Sequence, residues 1–356
     1  MSLESLPSIR WGILGTGWVS TMFVKDLVVP RENVPVKHIF QALGTSSEDR
    51  GTKFIDENAK EQQPRPTIYT NYESIYTDSE VDIVYVGVPH SLHREICLAA
   101  IAAGKHVLCE KPMTMNEKGA QEVIAAAKAK GVFLMEAVWT RFFPITKDIQ
   151  RMLHEEKVLG EITRMFCDFA IPLNLPSLPA ESRLKDPKLG AGALLDIGIY
   201  NIMYSNILLD GKVGTEAATP EITSNMVIVD GVDVEDVIIV KYPETQRIAI
   251  LTSSLQTKTA PEFCRVEGTK GTLTLSGLGT SIPSKTILKL TGKDEEVKEY
   301  ESPGLGFFHE ADAVALDILA GKKESATMPL AETVRMLGVM DSIRKSCGLV
   351  YPQDQN

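Results

Sequence analysis

The sequence is poor in positive charge and in paired cysteines. Lys and Arg total 37 against 47 Asp and Glu, which gives a net charge of −10, and no long basic run is present. Binding to nucleic acid requires clustered cations that neutralise phosphates, so we expect no nucleic-acid partner. The five cysteines are odd in number and contain no Cys-x-x-Cys pair. This argues against a full set of disulfides and a structural zinc, and we expect no bound metal.

Long uninterrupted apolar runs are also lacking. Every long apolar stretch is broken by charge, Gly or Pro, and the N-terminus has neither a basic segment nor an apolar core. We therefore expect a soluble cytoplasmic protein that does not enter a membrane. With 356 residues, of which 44% are hydrophobic, the chain is long enough for two domains.

Two patterns of secondary structure divide the chain. Strand and helix signals alternate from about residue 10 to residue 138, which is typical of a doubly wound parallel sheet. From about residue 160 onward, short alternating strands separated by turn signals dominate. The sequence predicts an α/β protein with an N-terminal Rossmann domain (1–138) and a C-terminal α+β domain (139–356). The second domain contains a large, open, mostly antiparallel sheet. The Pro- and Leu-rich stretch 171–190 is predicted to be a long loop.

A glycine-rich turn follows the first predicted strand. The run Gly12-Ile13-Leu14-Gly15-Thr16-Gly17-Trp18 has the strand, turn and helix order of a dinucleotide-binding fingerprint. We expect Gly15 to allow the tight turn and Gly17 to allow a pyrophosphate to approach the helix N-terminus. Trp18, the next residue, is a further candidate for cofactor binding. Ser20 stands where a third glycine often lies.

The residues after the second predicted strand distinguish NAD from NADP. A ribose 2′-hydroxyl is usually held by an acidic residue at this place. This chain instead has Ser46 and Ser47, followed by Arg50. We expect the two serines to donate hydrogen bonds to a 2′-phosphate and Arg50 to pair with its charge, which predicts NADP. The alternative is that Ser47 caps the following helix while Arg50 lies on a solvated face.

Further segments resemble a known family. The run Gly104-Lys105-His106-Val107-Leu108-Cys109-Glu110-Lys111-Pro112 is similar to the family of glucose-fructose oxidoreductase and inositol dehydrogenase. Segments 135–144 and 192–200 resemble the branch that contains dimeric dihydrodiol dehydrogenase and the NADP-linked D-xylose dehydrogenases. Segments 268–273 and 308–311 extend the resemblance over most of the chain.

The resemblance implies a catalytic role for three residues. Lys111 follows a buried strand and would contact the substrate oxygen, whereas its structural alternative is an exposed lysine paired with Glu110. Tyr200 stands where many relatives have histidine, and Asp196 precedes it by four residues, on one face of a predicted helix. Because tyrosine has a reference pKa of about 10, we expect Lys111 to lower the pKa of Tyr200, which would act as general acid/base. Asp196 would hold a substrate hydroxyl or the lysine. The alternative is a core tyrosine and a capping aspartate.

The same resemblance implies further binding residues. His90, Glu110 and Lys111 are expected to line the cofactor cleft. Trp139 would border the substrate pocket, where a flat ring suits the apolar face of a sugar or diol. Arg141 and Phe169 are additional candidates for the pocket. For the aromatic residues the alternative is packing in the core.

Together these residues predict an NADP-dependent dehydrogenase. It would move a hydride between the nicotinamide and a hydroxyl-bearing carbon, with C1 of an aldopyranose such as D-xylose or D-glucose favoured and a lactone as product. Oxidation of a trans-dihydrodiol is the alternative within the same chemistry. A non-catalytic, NADP-sensing regulatory protein is another, although the retention of Lys111, Asp196 and Tyr200 argues against it. The branch also implies a homodimer formed through the C-terminal sheet.

Overall fold

The computed structural model describes residues 6–355 and divides them into two compact units. The first unit contains residues 6–114, Lys118–Phe142 and Ser302–Leu330. The second contains Met115–Glu117, Phe143–Glu301 and residues 331–355. The predicted boundary after residue 138 treated each domain as one continuous segment. The structure differs because a late segment of the chain belongs to the first unit.

Residues 6–355 form nine α-helices. They are α1 (Trp18–Leu27), α2 (Glu48–Asn58), α3 (Tyr72–Thr77), α4 (His93–Ala102), α5 (Glu117–Lys130), α6 (Pro144–Gln150), α7 (Ile199–Ser205), α8 (Phe307–Leu319) and α9 (Leu330–Cys347). Side-chain caps start two of them, since Ser47 accepts a hydrogen bond at α2 and Asn71 accepts one at α3. These caps satisfy backbone N–H groups that the first helical turn leaves without partners.

A six-stranded parallel sheet forms the centre of the first unit, as predicted. Its order is β3-β2-β1-β4-β5-β6. The strands are β1 (Ser8–Leu14), β2 (Lys37–Gly44), β3 (Thr67–Tyr69), β4 (Ile83–Val86), β5 (His106–Glu110) and β6 (Leu134–Ala137). All residues of β4 and β6 are buried, as expected for strands covered on both faces.

A buried carboxylate fixes the start of α8 in the first unit. Asp26, near the end of α1, accepts hydrogen bonds from the backbone N–H groups of Leu305, Gly306 and Phe307 at 3.0, 2.6 and 2.8 Å. A carboxylate is well placed at a helix N-terminus, where N–H groups and the helix dipole favour negative charge. Asp26 therefore links α1 to the first turn of α8.

The second unit contains an eight-stranded sheet of order β14-β13-β12-β11-β7-β10-β9-β8. Its strands are β7 (Ile162–Ala170), β8 (Glu221–Val229), β9 (Val232–Tyr242), β10 (Arg247–Ser254), β11 (Glu262–Gly268), β12 (Gly271–Gly279), β13 (Ile282–Leu290) and β14 (Glu295–Glu299). The pair β7 and β10 is parallel and the remaining pairs are antiparallel. The predicted open, mostly antiparallel sheet is confirmed.

The two faces of this sheet differ. In β9, Ile238 and Val240 are fully or nearly fully buried, whereas Val237 and Ile239 are 48% and 41% exposed. Helix α7 covers the buried face, where Asn201 donates hydrogen bonds to the Thr252 carbonyl and to Ser253 in β10. The other face of the sheet carries exposed aliphatic side chains in the described chain.

The buried face also contacts a long helical segment. A π-helical turn (Leu194–Gly198), α7 and a second π-helical turn (Asn206–Asp210) follow one another along the chain. By length and composition, Pro187–Asp210 could cross a membrane, but 94% of its apolar window is buried inside the protein, as in a core helix. The preceding stretch 171–190 contains only short 3₁₀ turns, so the predicted long loop is present.

Candidate active site

The glycine turn lies at the carboxyl end of β1. The Gly15 N–H donates to the Gly44 carbonyl at 3.0 Å. Gly15 has a φ of +93°, and a Cβ there would lie 3.1 Å from the Gly87 carbonyl oxygen, so the turn itself requires glycine. Gly17 has an ordinary φ of −76° and caps α1. A Cβ at Gly17 would lie 3.9 Å from its nearest neighbour, so this glycine leaves space at the helix N-terminus.

Ser20 takes the place of the third glycine of the fingerprint. Its Oγ donates to the Gly87 carbonyl at 3.3 Å, and a Cβ at Gly87 would lie 2.3 Å from that Oγ. The close contact between α1 and the end of β4 is therefore preserved. The glycine that allows it is Gly87, after the strand, instead of a residue in the helix. Trp18 begins α1 and is 65% exposed beside the turn.

Arg50 spans the ends of β1 and β2. Its Nη1 donates to Ser46 Oγ at 3.3 Å and its Nη2 donates to Thr16 Oγ1 at 3.4 Å. Ser47 accepts from the Arg50 N–H and caps α2, as the structural alternative proposed. The guanidinium nevertheless extends to the glycine turn instead of pointing away from it. Sequence reasoning missed Thr16, although its place between two fingerprint glycines marks it as a candidate.

Glu110 and Lys111 end β5 at the same sheet edge. Glu110 is 4% exposed, and its Oε1 accepts from the Tyr85 hydroxyl at 2.6 Å. Its Oε2 accepts from the Lys111 N–H at 3.2 Å. The peptide bond between Lys111 and Pro112 is cis. The carboxylate of Glu110 thus holds the backbone of Lys111, and direct contact with a cofactor stays a prediction.

Two histidines lie beyond the end of β4. His90 is buried in a 3₁₀ turn, and its ring lies 5.7 Å from that of His93. The ring nitrogens of His93 lie 2.8 Å from the carbonyl oxygens of Pro112 and Val88. Burial lowers the pKa of His93. His93 therefore ties the turn after β5 to the end of β4, while the cofactor contact of His90 stays a prediction.

Trp139 packs within the first unit. It is 3% exposed and stacks on Phe307 at a centroid distance of 3.9 Å. Phe307 meets Phe23 edge-on, and Phe23 stacks on Tyr85 at 3.8 Å. Arg141 lies in the same 3₁₀ turn as Trp139 and is 2% exposed. This packing fits the core alternative, and substrate contact by Trp139 or Arg141 stays a prediction.

The remaining predicted residues lie in the second unit. Tyr200 is 5% exposed in α7, and the Phe169 ring approaches it edge-on at 5.6 Å between centroids. Asp196 lies one turn earlier, in the π-helical turn. Its Oδ1 lies 3.6 Å from Arg183 Nη1, which comes from the long loop. Arg183 was missed because nothing in its local sequence pattern indicates a partner.

Two parts of the chain match known family models. Residues 9–138 match the model of an oxidoreductase family with an NAD-binding Rossmann fold, and residues 149–274 match the GFO/IDH/MocA C-terminal domain. The chain belongs to the GFO/IDH/MocA family. The resemblance predicted from the sequence is confirmed, and the protein is an oxidoreductase with a nicotinamide-dinucleotide-binding domain.

Individual members of the GFO/IDH/MocA family are similar over nearly their whole length. A trans-1,2-dihydrobenzene-1,2-diol dehydrogenase from Xenopus laevis is 32% identical over 96% of this chain and 99% of its own. An NADP⁺-linked D-xylose 1-dehydrogenase from Hypocrea jecorina is 31% identical over 97% and 94%. A 3-ketoreductase from Actinomadura kijaniata, solved with NADP and TDP-benzene, shares the fold. Its TM-score is 0.78 at 23% identity, over 96% of this chain and 98% of the ketoreductase. The two dehydrogenases, together with the family match, place the enzyme among dehydrogenases acting on CH–OH donors.

The two fingerprint glycines are predicted to differ in what they support. Gly15→Ala should lower the thermal unfolding temperature without any ligand, because its positive φ strains a side chain by about 1–2 kcal/mol. Gly17→Ala should unfold like the wild type but bind a nicotinamide dinucleotide at least about tenfold more weakly. Calorimetry and dinucleotide titration of both variants measure the two effects. Equal loss of stability in both variants would contradict this assignment.

Proposed function

We propose that this family member is an NADP-dependent dehydrogenase that oxidises C1 of an aldopyranose, such as D-xylose or D-glucose, to a lactone. The observation that carries the proposal is the group formed by Arg50, Ser46 and Thr16 in the dinucleotide-binding unit. It is supported by the Asp196 and Tyr200 pair in the second unit. When bound, the nicotinamide supplies the hydride acceptor.

The contacts of Arg50 support the choice of NADP. Its guanidinium reaches two hydroxyl groups at 3.3 and 3.4 Å, one after β2 and one in the glycine turn. A planar guanidinium with neighbouring hydroxyl donors suits a dianionic phosphate better than a ribose hydroxyl. The Hypocrea D-xylose dehydrogenase is NADP-linked, and the Actinomadura ketoreductase was solved with NADP. The cofactors of these two relatives agree with the proposed choice of NADP.

Tyr200 is the proposed general acid/base, with Lys111 assisting it. The phenol belongs to a buried helix, so its hydroxyl is held by the fold and not by a mobile loop. Asp196, one turn earlier, supplies a hydroxyl acceptor. The long loop brings Arg183 to within 3.6 Å of this carboxylate. An arginine of the second unit thus stabilises the charge of the proposed hydroxyl acceptor. An aldopyranose offers several hydroxyl groups for such an acceptor.

Oxidation of a trans-dihydrodiol is the second candidate function. The edge-on contact of Phe169 with Tyr200 favours it, because aromatic rings suit a flat unsaturated ring. The Xenopus dehydrogenase, 32% identical, is named for such a substrate. A diol has fewer hydroxyl groups than a sugar and depends less on Asp196.

We further propose a homodimer formed through the exposed face of the second unit's sheet. Aliphatic side chains project from this face at Val227, Val237, Ile239 and Ile248, which are 52%, 48%, 41% and 36% exposed. In the registers of β8, β9 and β10 they lie on neighbouring strands of the same face. An apolar patch of this kind indicates an association surface, and a twofold pair would cover it in both copies.

Arg50→Ala is predicted to weaken NADP binding by roughly ten- to a hundred-fold, because a charge-assisted contact contributes about 1.5–3 kcal/mol. NAD binding should change little. Titration of both cofactors into the variant measures the difference. Lys53→Ala is the matched control, since Lys53 lies in the same helix, is 76% exposed and pairs with Glu57. Equal weakening of NADP and NAD in Arg50→Ala would remove Arg50 from phosphate recognition.

Tyr200→Phe is predicted to lower kcat by about 10²–10⁴ while NADP binding is retained, because only proton transfer is lost. Its effect should be strongly non-additive with that of Lys111→Ala. Tyr204→Phe is the control, since Tyr204 lies one turn later and donates to the Thr280 carbonyl. Near-normal turnover of Tyr200→Phe would exclude Tyr200 as the base.

The substrate is decided with a panel of aldoses, ketoses and trans-dihydrodiols, read by nicotinamide absorbance. Aldoses should reduce NADP and ketoses should not. Asp196→Asn should reduce kcat/KM for sugars more than for diols, since the acceptor serves the additional hydroxyl groups. Efficient turnover of diols alone would replace the sugar proposal by the diol one and leave hydride transfer in place.

Ile239→Glu is predicted to convert the dimer to a monomer at micromolar concentration, because a charge would be buried in an apolar interface. Light scattering should give twice the chain mass for the wild type. Leu319→Glu, in α8 and 46% exposed, is the control and should remain dimeric. A monomeric wild type would refute the proposal.

A further inference from the structure

Strand β9 directs two buried carboxyl groups to the same face. Asp233 is 0% exposed and Asp236 is 1% exposed. Residues three apart in a regular strand point to opposite faces. Pairing between β8 and β9 shifts, however, from Val227 with Glu235 to Ile228 with Asp233, so Val234 is the extra residue of a β-bulge. A bulge re-aims the side chain next to it, which here turns Asp233 toward Asp236.

Asp233 holds the start of the helical segment that carries Asp196 and Tyr200. Its Oδ2 accepts from the Leu194 N–H at 2.6 Å. A Cβ at Gly192 would lie 2.0 Å from its Oδ1, so the chain passes directly over the carboxylate. The Tyr351 hydroxyl donates to the Ala191 carbonyl at 2.6 Å and lies 3.3 Å from Asp233 Oδ1. The first turn of the segment is therefore seated on Asp233.

Asp236 has no hydrogen-bond donor of its own. Neither of its buried carboxyl oxygens has a hydrogen-bond partner in residues 6–355, and the group beside it is the carboxyl group of Asp233. Two buried carboxylates in contact repel unless one carries a proton, which then forms a hydrogen bond to the other. Burial, followed by the charge of Asp233, raises the pKa of Asp236 to about 9. Burial also raises the pKa of Asp233, against the hydrogen bond from Leu194.

The groups around the pair do not supply a compensating cation. Glu235, on the same strand, accepts from Ser254 and adds negative charge near Asp236. From α9, Cys347 faces Asp236, and Arg344 lies over the Tyr351 ring at 5.0 Å. Arg344 is itself paired with Asp341 and Asp354. In the described chain no ion pair reaches Asp233 or Asp236, so a proton is the remaining means of neutralising them.

We propose that Asp233 and Asp236 share one proton and in that form act as positioning residues, seating the helical segment that presents Asp196 and Tyr200. The roles of Asp196 and Tyr200 rest on the proposed function, whereas the shared proton and the seating of Leu194 do not. Loss of the proton leaves two buried negative charges in contact. Their repulsion moves Asp233 away from the Leu194 N–H and loosens the first turn.

The sign of the pH dependence follows from the raised pKa. The folded chain binds the proton more tightly than the unfolded chain, so this contribution to stability is complete at acid pH. It is lost as pH rises toward the folded pKa of about 9. Asp236→Asn removes this pH dependence, because the amide donates a hydrogen bond to Asp233 without having to bind a proton.

The first test compares thermal unfolding of Asp236→Asn and wild type across pH. The melting temperature of the variant relative to wild type should rise by roughly 10 °C between about pH 5 and about pH 9 and then level off. Glu235→Gln is the matched control, since it removes a neighbouring negative charge but leaves the pair intact, and its difference should change much less with pH than that of Asp236→Asn. A flat difference for Asp236→Asn would overturn the shared proton. This readout needs no substrate, so it stands even if the proposed reaction is wrong.

The second test measures positioning through kcat. Asp233→Ala should lower kcat by roughly ten- to a hundred-fold with NADP affinity unchanged, and Asp233→Asn should restore it, because the amide oxygen accepts from Leu194. Asp236→Asn should keep its turnover at alkaline pH where wild type declines. Unchanged kcat in Asp233→Ala, or no rescue by Asn, would overturn the positioning role. If Asp233→Ala does not fold, the alkaline profile of Asp236→Asn decides, and a profile identical to wild type overturns the role. Absence of wild-type turnover on every sugar and diol would instead refute the proposed function.

Discussion

The parallel direction of the six strands in the first unit is the constraint from which its candidate site follows. Parallel strands end at one edge, so residues far apart in sequence meet there without any further device. Gly15 follows β1, Ser46 follows β2, His90 follows β4 and Lys111 follows β5. The register of the buried strands fixes the face on which each side chain lies. A shift by one residue would move every side chain of a strand to the opposite face of the sheet.

Strands that are buried on both faces could be predicted, since burial leaves a local apolar run that is bounded by turn residues. This holds for β4 and β5 and for their connection by α4. The edge strand β14 was missed because all of its residues are exposed, and its charged sequence contains no apolar alternation. It exists because β13 offers hydrogen-bonding partners, and β13 was itself obscured by Pro283. Tertiary pairing, not local sequence, determines such strands.

The sequence predicts some residues of the candidate site but not their contacts. Gly15 and Lys111 could be predicted because each depends on backbone conformation at the end of a strand. The partners of site residues could not: Thr16 for Arg50, Phe307 for Trp139 and Arg183 for Asp196 are contacts between segments that no periodicity relates. The β-bulge at Val234 is equally invisible, since one extra residue leaves the alternation of β9 almost unchanged.

Each unit uses a buried aspartate to fix the start of a helical segment that carries or packs against residues of the site. Asp26 accepts three backbone N–H groups at α8, and the turn so formed places Phe307 beneath Trp139. Asp233 accepts one backbone N–H, from Leu194, at the segment that carries Asp196 and Tyr200. A buried carboxylate needs several donors to offset its loss of water. The N–H groups of a helix start supply them for Asp26, whereas for Asp233 the bulge brings a second acid close enough to supply one. Backbone N–H groups alone therefore stabilise the carboxylate of Asp26 in the first unit, whereas the carboxylate of Asp233 in the second unit also needs the proton shared with Asp236.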